Sequence, residues 1–207
     1  EFLKIFNNGN FRRDIIGIDK LPCAIQTCLL ARYNTSNEIG YRTIDRSFNI
    51  IPYLRKAWAD LCKTYPIEAK WYHKGHKPTL EEYINNAVIS TSAPAILQNK
   101  EALGYVDKLP SIMRCSSMIL RLTNDLGISS VYNLKSIQCY MNETGASEDV
   151  ARKHIMDMLH ETWKTINKHM FDHYSFVEEP FLSGNPNLCR TAQFFYQYGD
   201  GHGNPKQ

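Results

Sequence analysis

The sequence predicts an all-α fold, an assembly of antiparallel helices, on the basis of three observations. Apolar residues recur at three- and four-residue intervals along several stretches, as they do on the buried face of an amphipathic helix. Helix start signals precede these stretches, and glycine or proline follows several of them. Apart from short ambiguous apolar runs, nothing indicates a strand, and there is no internal repeat, P-loop, GxSxG or HExxH motif.

Length and composition indicate one globular domain. The 207 residues suffice for a sizeable core, and the fractions of hydrophobic residues (43%) and charged residues (22%) are typical of globular proteins. The net charge of +3 comes from dispersed basic residues, which argues against a nucleic-acid interface. No apolar run has the length needed to span a bilayer.

The N-terminal part of the chain predicts an irregular start followed by two helices. Residues 1–21 are expected to be irregular, and helical spacing follows over residues 23–43. The second helix has Pro52 in its first turn and covers residues 53–65. Pro66 then interrupts or kinks this helix, because proline lacks the N–H that an interior helical residue donates, and residues 68–72 can continue it.

A third helix is predicted to begin at a capping box, in which Thr79 and Glu82 satisfy free backbone donors of the first turn. It runs to about Ser90, where the segment ending in Pro94 interrupts it. Spacing alone favours a plain kink there; the other interpretation is a break whose free carbonyl groups line a cavity. A further helix starts within residues 99–109.

The stretch from Ser111 to Met141 contains the central helix of the prediction. Its first half has an apolar face and a separate polar face. The apolar face consists of Ile112, Cys115, Ile119 and Leu122, and the polar face of Arg114, Ser117, Arg121, Asn124 and Asp125. Gly127 offers a helix stop or a kink.

The polar face has two interpretations. The simpler one is an ion pair between Arg121 and Asp125 near the end of the helix, with Asn124 as a fraying residue, and periodicity alone favours it. The other is a site for a divalent cation and a phosphate. The oxygen of Asn124 suits Mg²⁺ or Mn²⁺, and the Arg121 guanidinium suits phosphate oxygens.

The C-terminal part predicts one long helix, a loop and a last helix. Ser147 is a suitable N-cap for the long helix. Its apolar stripe consists of Ala151, Ile155, Met158, Leu159, Ile166 and Met170. Residues 174–187 are predicted to form a loop, residues 188–198 an aromatic-rich helix, and residues 199–203 a glycine-rich turn.

The motifs of the chain carry a family resemblance. LRLTNDLGISS, KSIQCYMNETGAS, ETWKTINK and YQYGDGHG follow one another as in the C-terminal half of the class I catalytic domain of plant terpene synthases. Earlier segments agree, namely IDKLP, ARYNTSNEIGY, IIPYLRKAWADLC, EAKWYHKGHKPTLEEY and ISTSAPAI. The chain is most similar to the angiosperm monoterpene synthases, and the resemblance spans nearly all of it. The resemblance therefore favours the site for a divalent cation and a phosphate over the simple ion pair on the polar face of the central helix.

The resemblance implies a helical bundle of the class I terpenoid synthase type, to which residues 1–207 contribute part of the catalytic domain. Three Mg²⁺ or Mn²⁺ ions would bind the diphosphate of a prenyl substrate, geranyl diphosphate in the first instance, and the resulting carbocation would become a monoterpene. The alternatives are a sesquiterpene synthase acting on farnesyl diphosphate and a catalytically dead helical interaction module. A monoterpene synthase would act in plastids and a sesquiterpene synthase in the cytosol. An N-terminal helical domain of the same polypeptide is the expected partner, and the protein would be a monomer or weak homodimer.

The resemblance also assigns roles to the polar residues of the central stretch. Asn124 occupies the first metal-ligand position of the second metal motif. Arg121 and Lys135 correspond to diphosphate contacts. Asp125 belongs to the same diphosphate site, where it is expected to support the neighbouring groups and not to ligate.

Two further groups of residues receive roles from the resemblance. The interrupted helix would line the substrate pocket through Ser90, Thr91, Ser92 and Ala93. Tyr196 and Asp200 would form a C-terminal pair near the cavity and would influence proton transfer during catalysis.

The chain also departs from the family pattern. The N-terminal helical domain and the first, aspartate-rich metal motif are absent from this chain. Ile128 and Tyr132 stand at second-motif positions where the family has Ser or Thr and Glu. The sequence looks shortened between Ser130 and Leu134 and again after Leu97. We therefore expect the 207-residue polypeptide to be inactive, and turnover of geranyl diphosphate with Mg²⁺ would contradict that expectation.

Overall fold

The computed structural model describes residues 18–44, 50–96, 110–127, 135–173 and 179–197, without the side chains of residues 43–44, 92–96, 110, 173 and 179–185. A 3₁₀ turn at Ile18–Lys20 precedes the α-helices of these ranges. They are α1 (Cys23–Ile44), α2 (Ile51–Lys74), α3 (Leu80–Ile96), α4 (Pro110–Gly127), α5 (Ser136–Thr144), α6 (Glu148–His173) and α7 (Glu179–Tyr196). The all-α prediction is confirmed.

Helix α4 lies at the centre of the packing. It contacts α3, α5, α6 and α7, and its apolar face supplies Ile112, Ile119 and Leu122 to the main core, each at most 2% exposed. Burial of a Leu or Ile side chain contributes about 1.5–3 kcal/mol, so this face holds four neighbouring helices together. The apolar face predicted for this helix is confirmed, with Cys115 half-buried at its margin.

The long helix α6 supplies much of the rest of the core. The predicted stripe is buried at Ala151, Ile155, Leu159 and Ile166, and the two methionines of the stripe are partly buried against it. The Ser147 carbonyl accepts the Ala151 N–H at 3.0 Å, as an N-cap carbonyl does. The helix α6 was therefore predicted correctly in position and in the face that it buries.

The start of α3 follows the capping-box prediction. The Thr79 N–H donates to Glu82 Oε2 at 2.9 Å, and the Glu82 N–H donates to Thr79 Oγ1 at 3.1 Å. The Leu80 N–H donates to Glu143 Oε2 of α5 at 2.9 Å. Local and tertiary acceptors together satisfy the first donors of α3, which fixes the helix that carries Tyr83 into the core.

Of the two expectations at Pro66, the interruption is wrong, because the helix α2 continues through the proline over residues 68–72 to Lys74. Asn86 of α3 explains why the two halves stay in line. Its Nδ2 lies 3.5 Å from the Thr64 carbonyl oxygen, before the proline, and donates to Glu68 Oε1 at 2.9 Å, after it. Packing against α3 therefore outweighs the loss of one helical hydrogen bond.

Two other helix boundaries were also wrong. Helix α3 does not end near Ser90 but continues to Ile96, and the Ser90 and Thr91 hydroxyls bond back to the helix itself. Helix α7 begins at Glu179, inside the predicted loop over residues 174–187, and contains Pro186, which is fully buried. At Pro186 the local helix-breaking signal is overridden by the packing around the buried proline.

Some sequence predictions lie outside the described residues. They concern the helix over residues 99–109, the two departures at Ile128 and Tyr132, and the glycine-rich turn with Asp200. Among the helices that are described, none combines the length and the apolar character needed to cross a membrane.

Candidate functional site

A buried carboxylate lies on the polar face of α4. Asp125 is 0% exposed, and its Oδ1 lies 3.1 Å from Nε of Arg121, one helical turn earlier. A buried carboxylate is costly unless it is paired and hydrogen-bonded. The ion pair between Arg121 and Asp125, which spacing alone favours, is thus confirmed.

Tyr83 of α3 completes this ion pair. Its hydroxyl oxygen lies 2.9 Å from Asp125 Oδ2, 3.2 Å from Asp125 Oδ1 and 2.7 Å from Arg121 Nε, and it also contacts Arg121 Nη2. A phenol has one proton, so it donates to the carboxylate and accepts from the guanidinium. Burial, and then the charge of Asp125, raises the pKa of Tyr83 well above its ordinary value, which keeps this donor protonated.

The Arg121 guanidinium is held but not enclosed. Burial alone would lower the pKa of Arg121, but the charge of Asp125 and the contact with Tyr83 raise it above its ordinary value. The guanidinium carbon lies 5.2 Å from the centre of the Tyr83 ring, within the range of a cation–π contact. A quarter of the Arg121 side chain remains exposed, so a permanent positive charge reaches the surface in a fixed place.

The same carboxylate caps helix α5. Lys135, the N-cap residue, makes no side-chain hydrogen bond to the first turn, and the Ser136 N–H donates instead to Asp125 Oδ2 at 3.1 Å. An anion at a helix N-terminus is favourable for both hydrogen bonding and the helix dipole. Asp125 therefore contacts Arg121 directly and fixes the start of α5, where the buried Lys135 lies.

Asp125 is expected to support the diphosphate site and not to ligate, and its contacts are those of a supporting residue. Its two oxygens already accept hydrogen bonds from Tyr83, Arg121 and the Ser136 N–H, and none of its surface is exposed. A carboxylate and a diphosphate also repel each other. Asp125 supports the cations around it and does not offer an atom to a ligand.

Asn124 is the predicted metal ligand that lies among the described residues. It is partly exposed on α4, next to the buried Asp125. The described ranges contain no group of three or more His, Cys, Asp or Glu residues placed to hold a metal ion. Mg²⁺ typically keeps several waters and binds through one or two protein oxygens plus substrate phosphates. The Asn124 carboxamide fits such a site as one ligand, whereas Asp125 does not.

The predicted pocket residues of α3 show a different local role. The Ser90 and Thr91 hydroxyls donate to the Ala87 carbonyl at 3.1 and 2.8 Å, as Ser and Thr often do within a helix. Ser90 is half-buried and Thr91 is exposed. The side chains of Ser92 and Ala93 lie outside the described set.

Tyr196 does not lie at the same site as Arg121. It lines a cavity of about 900 Å³ between α4, α6 and α7, together with Thr123 and Gly127 of α4. Helical geometry places these two α4 residues on the side of the helix opposite Arg121. A Cβ on Gly127 would lie 2.6 Å from the Tyr196 carbonyl oxygen, so glycine permits this close approach of α7. The other predicted proton-transfer residue, Asp200, lies outside the described residues.

A second cavity, of about 510 Å³, lies between α3, α4, α5 and α6 and includes Arg114, Tyr140 and His154. Neither this cavity nor the larger one is lined by Arg121 or Asn124. A diphosphate beside these two residues would therefore need a binding site distinct from both cavities.

Sequence reasoning missed two members of the site. Tyr83 lies on the apolar face of α3 with Leu80, Ile84 and Ala87, where it resembled a core residue. A signal was present nonetheless, because a tyrosine on a fully buried face needs a partner for its hydroxyl. The backbone N–H of Ser136 had no signal, since its role depends on tertiary placement alone.

Comparison with known proteins places this geometry in context. Residues 3–165 match the family model described as "Terpene synthase family, metal binding domain". Two relatives are 49% identical to this chain over alignments of 220 residues that cover 98% of it. They are (+)-alpha-terpineol synthase of Santalum album and beta-bisabolene synthase of Santalum austrocaledonicum. The chloroplastic gamma-terpinene synthase of Citrus limon is 45% identical over 218 residues, which cover 97% of this chain and 36% of that protein.

The chain spans about two fifths of the length of these relatives; the alignments cover 38% of both Santalum proteins. An alignment of 220 residues is longer than this chain of 207 residues. The relatives therefore have residues inside the aligned region for which this chain has no counterpart, as the predicted shortening requires.

Solved structures show the same fold. A crystal structure of limonene synthase with 2-fluorolinalyl diphosphate superimposes with a TM-score of 0.83 at 34% identity, over 100% of this chain and 40% of that one. Isoprene synthase from grey poplar leaves (Populus x canescens), in complex with three Mg²⁺ ions and dimethylallyl-S-thiolodiphosphate, gives a TM-score of 0.81 at 36% identity. That superposition covers 97% of this chain and 41% of the other.

Proposed function

The chain belongs to the terpene synthase family, and we propose that it forms part of the catalytic domain of a metal-dependent terpene synthase. The enzyme ionises a prenyl diphosphate to a carbocation and converts it to a terpene with release of diphosphate. Geranyl diphosphate is the proposed substrate and a monoterpene the proposed product. The activity belongs to the whole protein, of which this chain matches about two fifths in its relatives.

The observation that carries the proposal is the fixed guanidinium of Arg121. Asp125 and Tyr83 hold it from inside the protein while a quarter of its side chain stays exposed. A planar guanidinium matches phosphate oxygens with two parallel hydrogen bonds. A cation already in place when charge develops on a leaving diphosphate stabilises the transition state without reorganisation. Lys135 is the second proposed diphosphate contact, and it immediately precedes the Ser136 N–H that Asp125 binds.

Asn124 is the residue of the described set that would hold a divalent cation, Mg²⁺ or Mn²⁺, beside the diphosphate. When bound, such ions neutralise charge on the departing group. The grey poplar isoprene synthase, with its three Mg²⁺ ions and a substrate-like thiolodiphosphate, supports Mg²⁺ as the first candidate. The role of this chain is to orient Asn124 on a helix that Asp125 anchors to α3 and α5.

Two further groups of residues are proposed to take part in the reaction. We retain Ser90 to Ala93 as a pocket wall and Tyr196 with Asp200 as groups that influence proton transfer. Tyr196 lines the larger cavity, on the other side of α4.

Substrate size, location and assembly belong to the same proposal. The relatives named for a terpineol and for a bisabolene are equally similar to this chain, so farnesyl diphosphate is the competing substrate. The chloroplastic gamma-terpinene synthase favours a plastid location, and a cytosolic location goes with farnesyl diphosphate. We further propose an N-terminal helical domain on the same polypeptide and a monomer or weak homodimer.

The second candidate function is a helical module that no longer performs the chemistry. The observations that favour it are Ile128 and Tyr132 at the positions of two metal ligands and the aligned residues that this chain lacks. Product analysis of the full-length protein separates the two candidates. Terpene formation from geranyl or farnesyl diphosphate with Mg²⁺ excludes the inactive module.

Diphosphate binding is the direct test of the site. We expect isothermal titration calorimetry to show Mg²⁺-dependent binding of inorganic pyrophosphate, weakened about tenfold or more by Arg121→Ala, since this removes a charge-assisted bidentate contact. The matched control is Arg114→Ala on the same helix, whose guanidinium donates to Asn85 Oδ1 at 2.8 Å. Absence of pyrophosphate binding together with absence of product from either substrate would overturn the proposed function.

A further inference from the structure

We propose that Tyr83 is a positioning residue for diphosphate binding, because its hydroxyl holds the Arg121 guanidinium in one orientation against the buried Asp125 carboxylate. The inference rests on the proposed function and deepens it. Tyr83 itself touches no ligand in this proposal; it acts through Arg121.

The three side chains form a closed set of contacts. Tyr83 oxygen lies 2.7 Å from Arg121 Nε and 2.9 Å from Asp125 Oδ2, and Arg121 Nε lies 3.1 Å from Asp125 Oδ1. Each group thus contacts both of the others, so no single torsion can turn without breaking a contact. Tyr83 is 3% exposed, and water does not replace its hydroxyl if the hydroxyl is removed.

The hydroxyl occupies one particular edge of the guanidinium. It accepts from Nε and from Nη2, which together form the side edge of the fork. Nη1 takes no part in these bonds, and with the second N–H of Nη2 it forms the other edge that is capable of bidentate binding. Tyr83 therefore selects which edge of Arg121 is left for two phosphate oxygens.

A competing carboxylate makes this selection necessary. The charge of Glu68, on α2, also acts on Arg121. Glu68 accepts a hydrogen bond from Asn86 at 2.9 Å, and Asn86 lies one turn after Tyr83 on α3. Without the hydroxyl, the ion pair with Asp125 alone holds the guanidinium against the attraction of Glu68, and part of its preorganisation is lost.

The test uses Tyr83→Phe, which keeps the ring and its stacking with the guanidinium and removes only the hydroxyl. The control is Ile155→Val, a change in the same core at a 0%-exposed position whose side chain can make no hydrogen bond. NMR reports the Nε–H of Arg121, assigned by its absence in Arg121→Lys, and calorimetry reports Mg²⁺-dependent pyrophosphate binding. We expect a slowly exchanging Nε–H signal in the wild type, its loss in Tyr83→Phe, and an affinity weakened about five- to tenfold.

The outcomes separate this inference from the function on which it rests. A rapidly exchanging Nε–H in the wild-type protein overturns the inference without any variant having to fold. Wild-type affinity in Tyr83→Phe, or an equal loss in Ile155→Val, overturns it as well, because the hydroxyl then has no specific role in binding. If Arg121→Ala leaves pyrophosphate binding unchanged, the diphosphate role of Arg121 fails, and the positioning role of Tyr83 in diphosphate binding fails with it.

Discussion

Asp125 Oδ2 accepts a hydrogen bond from the backbone N–H of Ser136 at 3.1 Å, across 11 residues of the chain. The same carboxylate is paired with Arg121. One buried anion thus links the end of α4 to the start of α5. It thereby fixes the positions on the backbone of Arg121 and Lys135, the two cations of the proposed diphosphate site, relative to each other.

Replacing this anion is expected to destabilise the fold. Asp125→Asn keeps the volume but removes the charge from a fully buried position, so Arg121 loses its ion-pair partner. We expect a loss of about 3 kcal/mol in the free energy of unfolding, measured by urea denaturation. Glu148→Gln is the control, because its ion pair with Arg152 at 2.7 Å is on the surface and contributes less than about 1 kcal/mol. Equal effects of the two changes would contradict a special role for Asp125.

The close approach of α4 and α7 gives a second prediction. In Gly127→Ala the new Cβ lies 2.6 Å from the carbonyl oxygen of Tyr196, a backbone atom that cannot move without α7. We expect a loss of about 1–3 kcal/mol in thermal or urea unfolding, as overpacking typically causes. In Gly40→Ala the same short distance is to the flexible end of the Ile51 side chain, so a smaller loss is expected. A larger loss in Gly40→Ala than in Gly127→Ala would show that α7 moves away from α4 at little cost.

Much of the fold follows from signals within a few residues of each other. The capping box at Thr79 and Glu82 fixes the start of α3, and the apolar spacing of α4 and α6 identifies their buried faces. These elements could be predicted because the interactions that define them are local. The ion pair of Arg121 with Asp125, one helical turn apart, belongs to the same class.

The errors have a common physical cause. Pro66 and Pro186 each carry a local signal that ends helices, yet both lie inside one, because contacts with other helices compensate for the missing hydrogen bond. The partners of Asp125 on α3 and α5 could not be predicted either, since Tyr83 is 42 residues away in the chain. Nothing in the local sequence encodes such pairings, so the polar face of α4 alone could not reveal that Tyr83 and the Ser136 N–H complete the ion pair.

Buried thiols are expected to make the fold sensitive to high pH. Burial, followed by the charge of Asp125, raises the pKa of Cys139 to about 12, and burial raises that of Cys189 to about 11. These thiols keep their protons in the folded state at pH values where the unfolded chain loses them. Their contribution is complete below about pH 9 and is lost as the pH rises, by about 1 kcal/mol per pH unit for each thiol.

Urea unfolding at pH 8, 9 and 10 measures this slope, the decrease in the free energy of unfolding per pH unit. Cys139→Ala is expected to flatten it, whereas replacement of the exposed Cys23 by Ala leaves it unchanged. A slope that is the same in both variants would assign the high-pH instability to other groups.

The second cation of the proposed site gives the last prediction. Lys135 is 7% exposed and immediately precedes Ser136, whose backbone N–H is held by Asp125. Lys135→Met keeps most of the side-chain length and removes the charge, so Mg²⁺-dependent pyrophosphate binding should weaken about tenfold in calorimetry. Because Asp125 binds backbone at this point, the Ser136 amide signal in NMR should persist. Lys153→Met removes the same charge in the larger cavity, on the opposite side of α4, and is expected to leave affinity unchanged. If Lys153→Met weakens binding and Lys135→Met does not, the anion lies in that cavity and the polar face of α4 is structural alone.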